Sequence, residues 1–334
     1  MQDIGRLNMT RRALLVILSA ITFPLDSASP QDIGPRSIAL TFDDLPANTL
    51  HGPETHGDIL LPIAHTLRRE GVPAMGFVNE DKLYDNGRLI SGRVRVLEQW
   101  LDAGLTLGNH GFRHRDLHNT PLDRYLALID SGGLITSGLL EGRGHRLTYY
   151  RHPFLHTGRS VATRDSVTAH LDRHDMRVAP VTIDNQEWIF ARAYERALGC
   201  SDRTLANRIG DEYVQYMDSI TGYYETQSQS LLGRKIPHVL LLHANRLNAD
   251  RLGDLIDVYR HRGYAFIAID RALEDPIFKS EDTYDGPAGI TWIHRWAITN
   301  GARGSVFAGE PPVSDLTQQA YEDPTELDSC RVPS

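Results

Sequence analysis

The sequence predicts an α/β fold in which a parallel sheet closes, or nearly closes, into a (β/α)7 barrel covered by helices. From residue 36 onward, short apolar runs of β-forming residues alternate with longer segments of helical period. This alternation is typical of parallel strands joined by helices. The apolar runs number seven, which favours a barrel over a small open sheet. The predicted strands are residues 37–41, 74–78, 105–108, 146–150, 177–183, 238–242 and 264–269.

Three segments between these strands have the i, i+3, i+4 apolar spacing of amphipathic helices, namely residues 59–70, 89–103 and 247–262. We expect the last of them to begin with a cap at Asn248 and to end at Gly263. Residues 271–334 depart from the alternation, because Gly and Pro interrupt them around one apolar patch at 290–298. We therefore predict that these residues form an irregular C-terminal extension with a loosely ordered tail after Glu310.

The N-terminus has the features of an export signal. Arg6, Arg11 and Arg12 precede an apolar run over residues 13–23, and small residues follow at 27–29. We therefore predict a signal peptide over residues 1–29 and a protein exported to the periplasm or the cell exterior. The run is shorter than the roughly 20 residues that span a bilayer, so we expect release after cleavage rather than stable membrane insertion. An uncleaved anchor is the alternative.

Composition limits the classes of function. With 41% hydrophobic residues in a chain of 334, one large core can form, and we assign residues 30–270 to one catalytic domain. The net charge of −8 lacks the basic footprint of a nucleic-acid-binding protein, so neutral or weakly charged substrates fit better. Cys200 and Cys330 are too few for a disulfide scaffold, which leaves one optional disulfide or two unpaired thiols. The oligomeric state does not follow from the sequence.

Two adjacent carboxylates, Asp43 and Asp44, follow the first predicted strand. The carboxyl ends of strands are where a parallel barrel gathers its catalytic groups. Neighbouring residues on a strand point in opposite directions, so both carboxylates can serve one site only if the backbone bends there. Pro46 and the loop behind it permit such a bend. Such a pair is more often a cap or a turn.

A second group, His110 and His114, follows the third predicted strand. Histidines four residues apart on a helical turn face the same side, which suits two imidazoles that bind one metal ion. With one carboxylate they leave coordination positions open for water and substrate. The spacing alone is weak evidence, because the chain has 15 histidines and His114 and His118 show the same spacing by chance.

Five ordered segments together resemble the motifs of the polysaccharide deacetylase family, the NodB-homology or carbohydrate esterase family 4 enzymes. The segments are Thr41 to Pro46, Gly108 to His114, Arg151 to Phe154, Asp184 to Trp188 and Leu241 to His243. The resemblance spans about residues 36–270, and each motif lies at the carboxyl end of a different predicted strand. It implies a distorted (β/α)7 barrel of the NodB-homology type that hydrolyses acetyl groups on sugars.

The resemblance also implies roles for individual residues. Asp44, His110 and His114 would hold a divalent metal ion, usually zinc, with cobalt or nickel as alternatives. Asp43 would be the general base that deprotonates the attacking water. Arg151 would pair with Asp43, and a cation beside the base is expected to lower its pKa and fix its orientation.

On the leaving-group side, His243 would be the general acid that protonates the amine. A carboxylate behind His243 would keep the imidazole charged. The family usually has Asp before the motif's Trp, whereas this chain has Glu187, so either Glu187 or Asp184 is a candidate.

Three further residues would face the substrate. The backbone N–H of Phe154 would stabilise the oxyanion. Trp188 and Leu241 would line the pocket for the acetyl methyl group, with ordinary core packing as the alternative.

The predicted function is metal-dependent removal of acetyl groups from an acetylated glycan. N-deacetylation of N-acetylglucosamine-containing polymers, such as chitin fragments, peptidoglycan or an exopolysaccharide, is the main hypothesis. One alternative keeps the metal site and changes the bond, as in an O-acetyl xylan esterase or another amide hydrolase. Another is an inactive barrel that binds carbohydrate.

Overall fold

A parallel sheet forms the centre of the fold in the computed structural model, which describes residues 36–322. The strands are β1 (Ser37–Leu45), β2 (Ala74–Val78), β3 (Tyr84–Asp85), β4 (Arg88–Leu89), β5 (Thr106–Asn109), β6 (Tyr149–Tyr150), β7 (Arg177–Val178), β8 (His238–His243) and β9 (Ala265–Phe266). β3 and β4 form a separate antiparallel hairpin, and the other seven strands pair in parallel. Each of the seven overlaps a predicted strand, so the predicted sheet is confirmed.

The sheet curls into a distorted barrel. Its strand order is β7-β6-β5-β2-β1-β8, with β9 paired to β1. The chain after β7 then crosses to the other end of this order, because Ile183 forms a parallel bridge with Leu240 of β8. This contact brings the two ends of the sheet together, as a closing barrel requires. The predicted fold class is confirmed.

Helices cover the outside of the sheet. They are α1 (His56–Glu70), α2 (Ser91–Asp102), α3 (Leu122–Ser131), α4 (Leu134–Glu141), α5 (Val161–Arg173), α6 (Glu187–Gly199), α7 (Arg203–Leu232), α8 (Arg246–His261), α9 (Ile269–Ala272), α10 (Trp292–Thr299) and α11 (Asp315–Glu322). The three predicted helices correspond to α1, α2 and α8. The predicted cap at Asn248 is wrong by one turn, because the side chain of Asn245 accepts the N–H of Asn248 and caps α8.

The alternation of side chains along β1 explains how the site is positioned. Ile38 and Phe42 belong to the large core between sheet and helices, whereas Ala39 belongs to a smaller cluster with residues from β2, β6 and β8. Thr41 and Asp43 continue the Ala39 side at intervals of two residues. Asp43 therefore stands at the carboxyl end of the row of side chains that fills the barrel.

The C-terminal extension contains more regular structure than the sequence indicated. α10 packs against α7, and α11 packs against α6 and α7. The described part of the tail after Glu310 thus includes a helix, which corrects the expectation of loose order there. The N–H of Trp292 donates to Val181 O at 2.8 Å, so α10 begins on the barrel itself.

Residues 1–35 and 323–334 lie outside the described part of the chain. They include the predicted signal peptide and Cys330, so export stays a prediction and both alternatives for Cys200 and Cys330 stand. Among residues 36–322, no helix is both long and apolar enough to cross a membrane.

Candidate active site

The two carboxylates at the end of β1 face one cavity because the backbone bends between them. The register of β1 against β2 shifts between Phe42 and Leu45, and Asp44 has a φ of 69° in the left-handed region. Asp43 and Asp44 both line a cavity of about 480 Å³ at the carboxyl end of the barrel. The bend that the sequence required is therefore present.

Asp44, His110 and His114 converge in this cavity. The Nε2 atoms of His110 and His114 lie 3.8 and 3.7 Å from Asp44 Oδ1. The expected helical turn is wrong, however. Arg113 and His114 have φ values of 67° and 46°, so a loop and a short 3-10 turn place the second histidine.

The protonation of this triad suits a divalent cation. His110 Nδ1 lies 2.9 Å from Arg151 O, and a carbonyl only accepts, so Nδ1 holds the proton and Nε2 faces Asp44 with its lone pair. Burial lowers the pKa of both His110 and His114. Burial opposes ionisation of Asp44, but Lys82 and the two histidines lower its pKa below the usual range. One carboxylate and two neutral imidazoles fit zinc or a similar ion.

Sequence reasoning missed two residues that brace Asp44. Lys82 Nζ donates to the carbonyls of Asp44 and Ala47 at 2.8 and 3.0 Å. Asn48 Nδ2 donates to Asp44 Oδ2 at 2.8 Å. Nothing in the sequence marks Lys82, which comes from the segment after β2. Asn48 was within reach of prediction, since it lies four residues after Asp44 in the same loop.

Asp43 lies beside the triad and pairs with a buried arginine. Arg151 Nη1 is 3.5 Å from Asp43 Oδ1, and Arg151 Nη2 donates to Thr41 Oγ1 at 3.1 Å. The expectation of a lowered pKa for the base is wrong. Burial raises the pKa of Asp43 to about 6, and the opposing effect of Arg151 is smaller. Asp43 remains mostly ionised at pH 7. Its buried Oδ1 accepts no hydrogen bond from the described residues.

On the far side of the cavity, His243 ends β8 and contacts Glu187. His243 Nδ1 donates to Glu187 Oε2 at 2.8 Å. Burial disfavours the charged imidazole, but Glu187 outweighs it and raises the pKa of His243 to about 9. Asp184 lines the cavity and accepts the N–H of Asn185 at 2.8 Å. Of the two candidate carboxylates, Glu187 is therefore the one in contact with the imidazole.

Three substrate-side residues predicted from the sequence line the same cavity. Phe154 and Trp188 are 55% and 49% exposed, unlike core aromatic residues, whereas Leu241 is buried. The ring of Phe154 meets that of His114 edge-on at a centroid distance of 4.5 Å. Two aromatic rings thus flank the opening of the cavity.

Residues 31–178 match the polysaccharide deacetylase family. The matched stretch includes the Asp43–Asp44 pair and both triad histidines, which line one cavity, and Arg151, which contacts Asp43. The chain therefore resembles the polysaccharide deacetylase family over this stretch. No curated protein matches the chain.

Several solved structures are similar to this chain. The peptidoglycan deacetylase PdaC from Bacillus subtilis is 20% identical over 72% of this chain and 91% of its own, with a TM-score of 0.46. A family 4 carbohydrate esterase from Streptomyces lividans, in complex with acetate, is 17% identical over 71% and 95%, with a TM-score of 0.45. A family 4 pseudoenzyme from Bacillus anthracis is 16% identical over 72% and 66%, with a TM-score of 0.46. Likenesses at this level support no conclusion about the function of this chain.

Two buried asparagines hold the Glu187 carboxylate behind His243. The Nδ2 atoms of Asn245 and Asn248 both donate to Glu187 Oε1, so the carboxylate is bound on both oxygens. Asn245 is buried and caps the start of α8. Asn245 could have been predicted as a cap from its position at the start of α8, where a capping asparagine is common.

The described residues contain two other Asp-His-His groups. They are Asp116, His118 and His156, and Asp130, His170 and His174. The rings of His118 and His156 stack at 3.9 Å with an interplanar angle of 7°, so their lone pairs do not converge on one point. The third group includes two exposed residues. Neither matches the buried, convergent geometry of the Asp44 triad.

Proposed function

We propose that this chain is a metal-dependent hydrolase that removes acetyl groups from a glycan, and that N-acetylglucosamine-containing polymers are its substrates. One observation carries the proposal. The Asp44 triad, a buried carboxylate at Asp43 and a carboxylate-backed imidazole at His243 line one cavity. Amide hydrolysis needs an electrophilic centre, a base and an acid arranged in this way.

The metal would be held by Asp44, His110 and His114. A bound divalent ion would supply Lewis-acid polarisation of the acetyl carbonyl and increase the acidity of water in the site. Zinc fits the donor set best, with cobalt and nickel as alternatives.

Asp43 would take the proton from the water that attacks the acetyl carbon. Its pKa of about 6 leaves it ionised at neutral pH yet basic enough to accept that proton. Arg151 would keep the carboxylate oriented through the ion pair at 3.5 Å. The backbone N–H of Phe154 would donate to the oxyanion.

His243 would donate a proton to the sugar nitrogen as the carbon–nitrogen bond breaks, which releases acetate and a free amine. With a pKa of about 9, His243 is charged at neutral pH and so holds a proton to give. Glu187 would keep Nδ1 engaged and leave Nε2 directed at the leaving group.

Cellular location and domain limits belong to the same proposal. Export to the periplasm or cell exterior would place the enzyme beside acetylated polymers, and it rests on the arginines and apolar run of residues 1–29. We assign residues 30–270 to the catalytic domain and residues 271–334 to an extension.

The direct test supplies zinc, cobalt or nickel and measures acetate release from N-acetyl and O-acetyl glycans. We expect release from chitin or peptidoglycan fragments. Release from acetylated xylan alone would assign the esterase activity instead. Asp43→Asn tests for an inactive binding barrel, because an enzyme should lose roughly 100-fold or more in kcat while retaining metal. Absence of release from every substrate with metal bound would refute the proposal.

A further inference from the structure

The loop of residues 153–157, here called the Phe154 loop, adopts a conformation that needs external support. Phe154 and Leu155 have φ values of 59° and 55°, and two consecutive non-glycine residues in the left-handed region are strained. The loop's own hydrogen bonds, Leu155 N to His152 O and His156 N to Pro153 O, close the turn. They do not fix where the turn sits relative to the metal triad.

Arg295 of α10 reaches this loop from the C-terminal extension. Arg295 is only 1% exposed. Its Nη2 donates to Leu155 O at 2.8 Å, and its Nη1 donates to Thr157 Oγ1 at 2.7 Å. These two bonds come from one rigid guanidinium, so they set both the position and the tilt of the loop.

The guanidinium is itself held on all sides. Its Nε donates to Ile290 O at 3.1 Å, and its Nη1 also donates to Asp282 Oδ2 at 3.1 Å. It lies over the rings of Trp292 and Tyr284, at 4.7 and 5.0 Å from their centroids. Trp292 N, at the start of the same helix, donates a hydrogen bond to Val181 O of the barrel. Arg295 therefore connects the loop to the barrel through the extension.

The extension makes a second, direct contact with the loop. A Cβ built on Gly289 would lie 1.8 Å from Phe154 O, so the backbone of Gly289 passes against the Phe154 carbonyl at a distance that only glycine permits. The extension therefore contacts the carbonyl groups of both strained residues.

We infer that Arg295 is a positioning residue for the active site, and that the extension is part of the catalytic unit although it lies outside the matched stretch of residues 31–178. Arg295, assisted by Gly289, sets the place of the Phe154 ring and backbone N–H opposite the triad. The inference rests on the proposed function, since only a reacting acetyl group makes that placement matter for rate. Arg295 does not touch the cavity and acts through the loop.

The test compares Arg295→Lys, Arg295→Met and Gly289→Ala with wild type. Arg295→Lys keeps the charge but cannot make both loop contacts. A misplaced loop should lower kcat by roughly 10- to 100-fold with KM changed less than about threefold, whereas bound zinc should stay at the wild-type level. Arg295→Met should lower kcat further than Arg295→Lys does. Gly289→Ala should also lower kcat, through its contact with Phe154 O. It should fold even if Arg295→Met does not, and so it tests the inference independently.

Matched controls separate positioning from general damage. Arg303→Met removes an exposed arginine of the same extension, which donates only to Ile298 O and Ala302 O among the described contacts. Gly253→Ala adds a Cβ that meets nothing within 4 Å. Both controls should keep the wild-type kcat.

Hydrogen exchange supplies a readout that does not depend on activity. In Arg295→Lys, amide exchange of residues 154–157 should accelerate while that of β1 and β8 stays unchanged. Unchanged loop exchange together with kcat within about twofold of wild type would overturn the inference. If the wild type releases no acetate, the proposed function fails alone, and the exchange measurement still decides whether Arg295 positions the loop.

Discussion

His110 and His243 occupy comparable places, since each stands at the carboxyl end of a parallel strand and lines the same cavity. Their charge states differ. His110 has a carbonyl behind it, and burial lowers its pKa, so it is a neutral imidazole suited to bind a metal. His243 has the Glu187 carboxylate behind it, which raises its pKa to about 9 against the effect of burial. The partner of the second nitrogen thus decides whether the imidazole is neutral or charged, and so whether it suits metal binding or proton donation.

The largest effects are expected when the side chain of either histidine is removed. His110→Ala should abolish both stoichiometric zinc binding and acetate release, because it removes one of three ligands. His243→Ala should keep zinc and lose roughly 100- to 10,000-fold in kcat, as the loss of a general acid does. Metal analysis and steady-state kinetics on the same preparations check both.

The surface variant His145→Ala serves as the control and should match wild type. Zinc loss in His243→Ala, or full zinc retention in His110→Ala, would mean that the two histidines have been assigned the wrong way round.

A second prediction concerns pH. Because the acid must be protonated, kcat should fall as pH rises through about 9, the pKa of His243. Glu187→Gln removes the charge that raises this pKa, so the alkaline fall in kcat should begin at lower pH. The pH dependence of kcat measures this shift. In Asp184→Asn the alkaline fall should stay in place, since Asp184 makes no described hydrogen bond to His243, and an equal shift in both variants would contradict the pairing.

The smallest expected effect is on the ligand side. Asn48→Ala removes the donor to Asp44 Oδ2 and should weaken zinc affinity roughly 10-fold, within the range of outer contacts to metal ligands. Zinc titration with a competing chelator measures the change. Asn207→Ala, at an exposed position of α7, is the control and should leave zinc affinity unchanged. Equal zinc affinities for wild type and both variants would show that Asn48 does not support the metal site.

The comparison also shows what the sequence can and cannot predict. The seven strands were predictable from their short apolar runs. Five of these runs end at a motif, and polar residues at those ends, from Asp43 to His243, meet in one cavity. α7 went unpredicted, since much of its buried face consists of Tyr213, Tyr216 and Tyr224 rather than aliphatic residues, which weakens its apolar period.

Quantities that depend on long-range contacts escaped prediction. The pKa of Asp43 is raised rather than lowered, because burial outweighs Arg151 and the extent of burial is set by the whole barrel. Lys82 near Asp44 and Arg295 behind the Phe154 loop lie 38 and 140 residues from the groups to which they donate. No local pattern indicates contacts over such separations.

The central claim is that Asp44, His110 and His114 share one divalent cation with Asp43 and His243 outside its ligand set. Anomalous diffraction at the zinc edge from crystals grown with zinc tests it most directly. We predict a peak within bonding distance of His110 Nε2, His114 Nε2 and an oxygen of Asp44. A peak found only at the Asp116 or the Asp130 group, or zinc bonded to His243, would contradict the account.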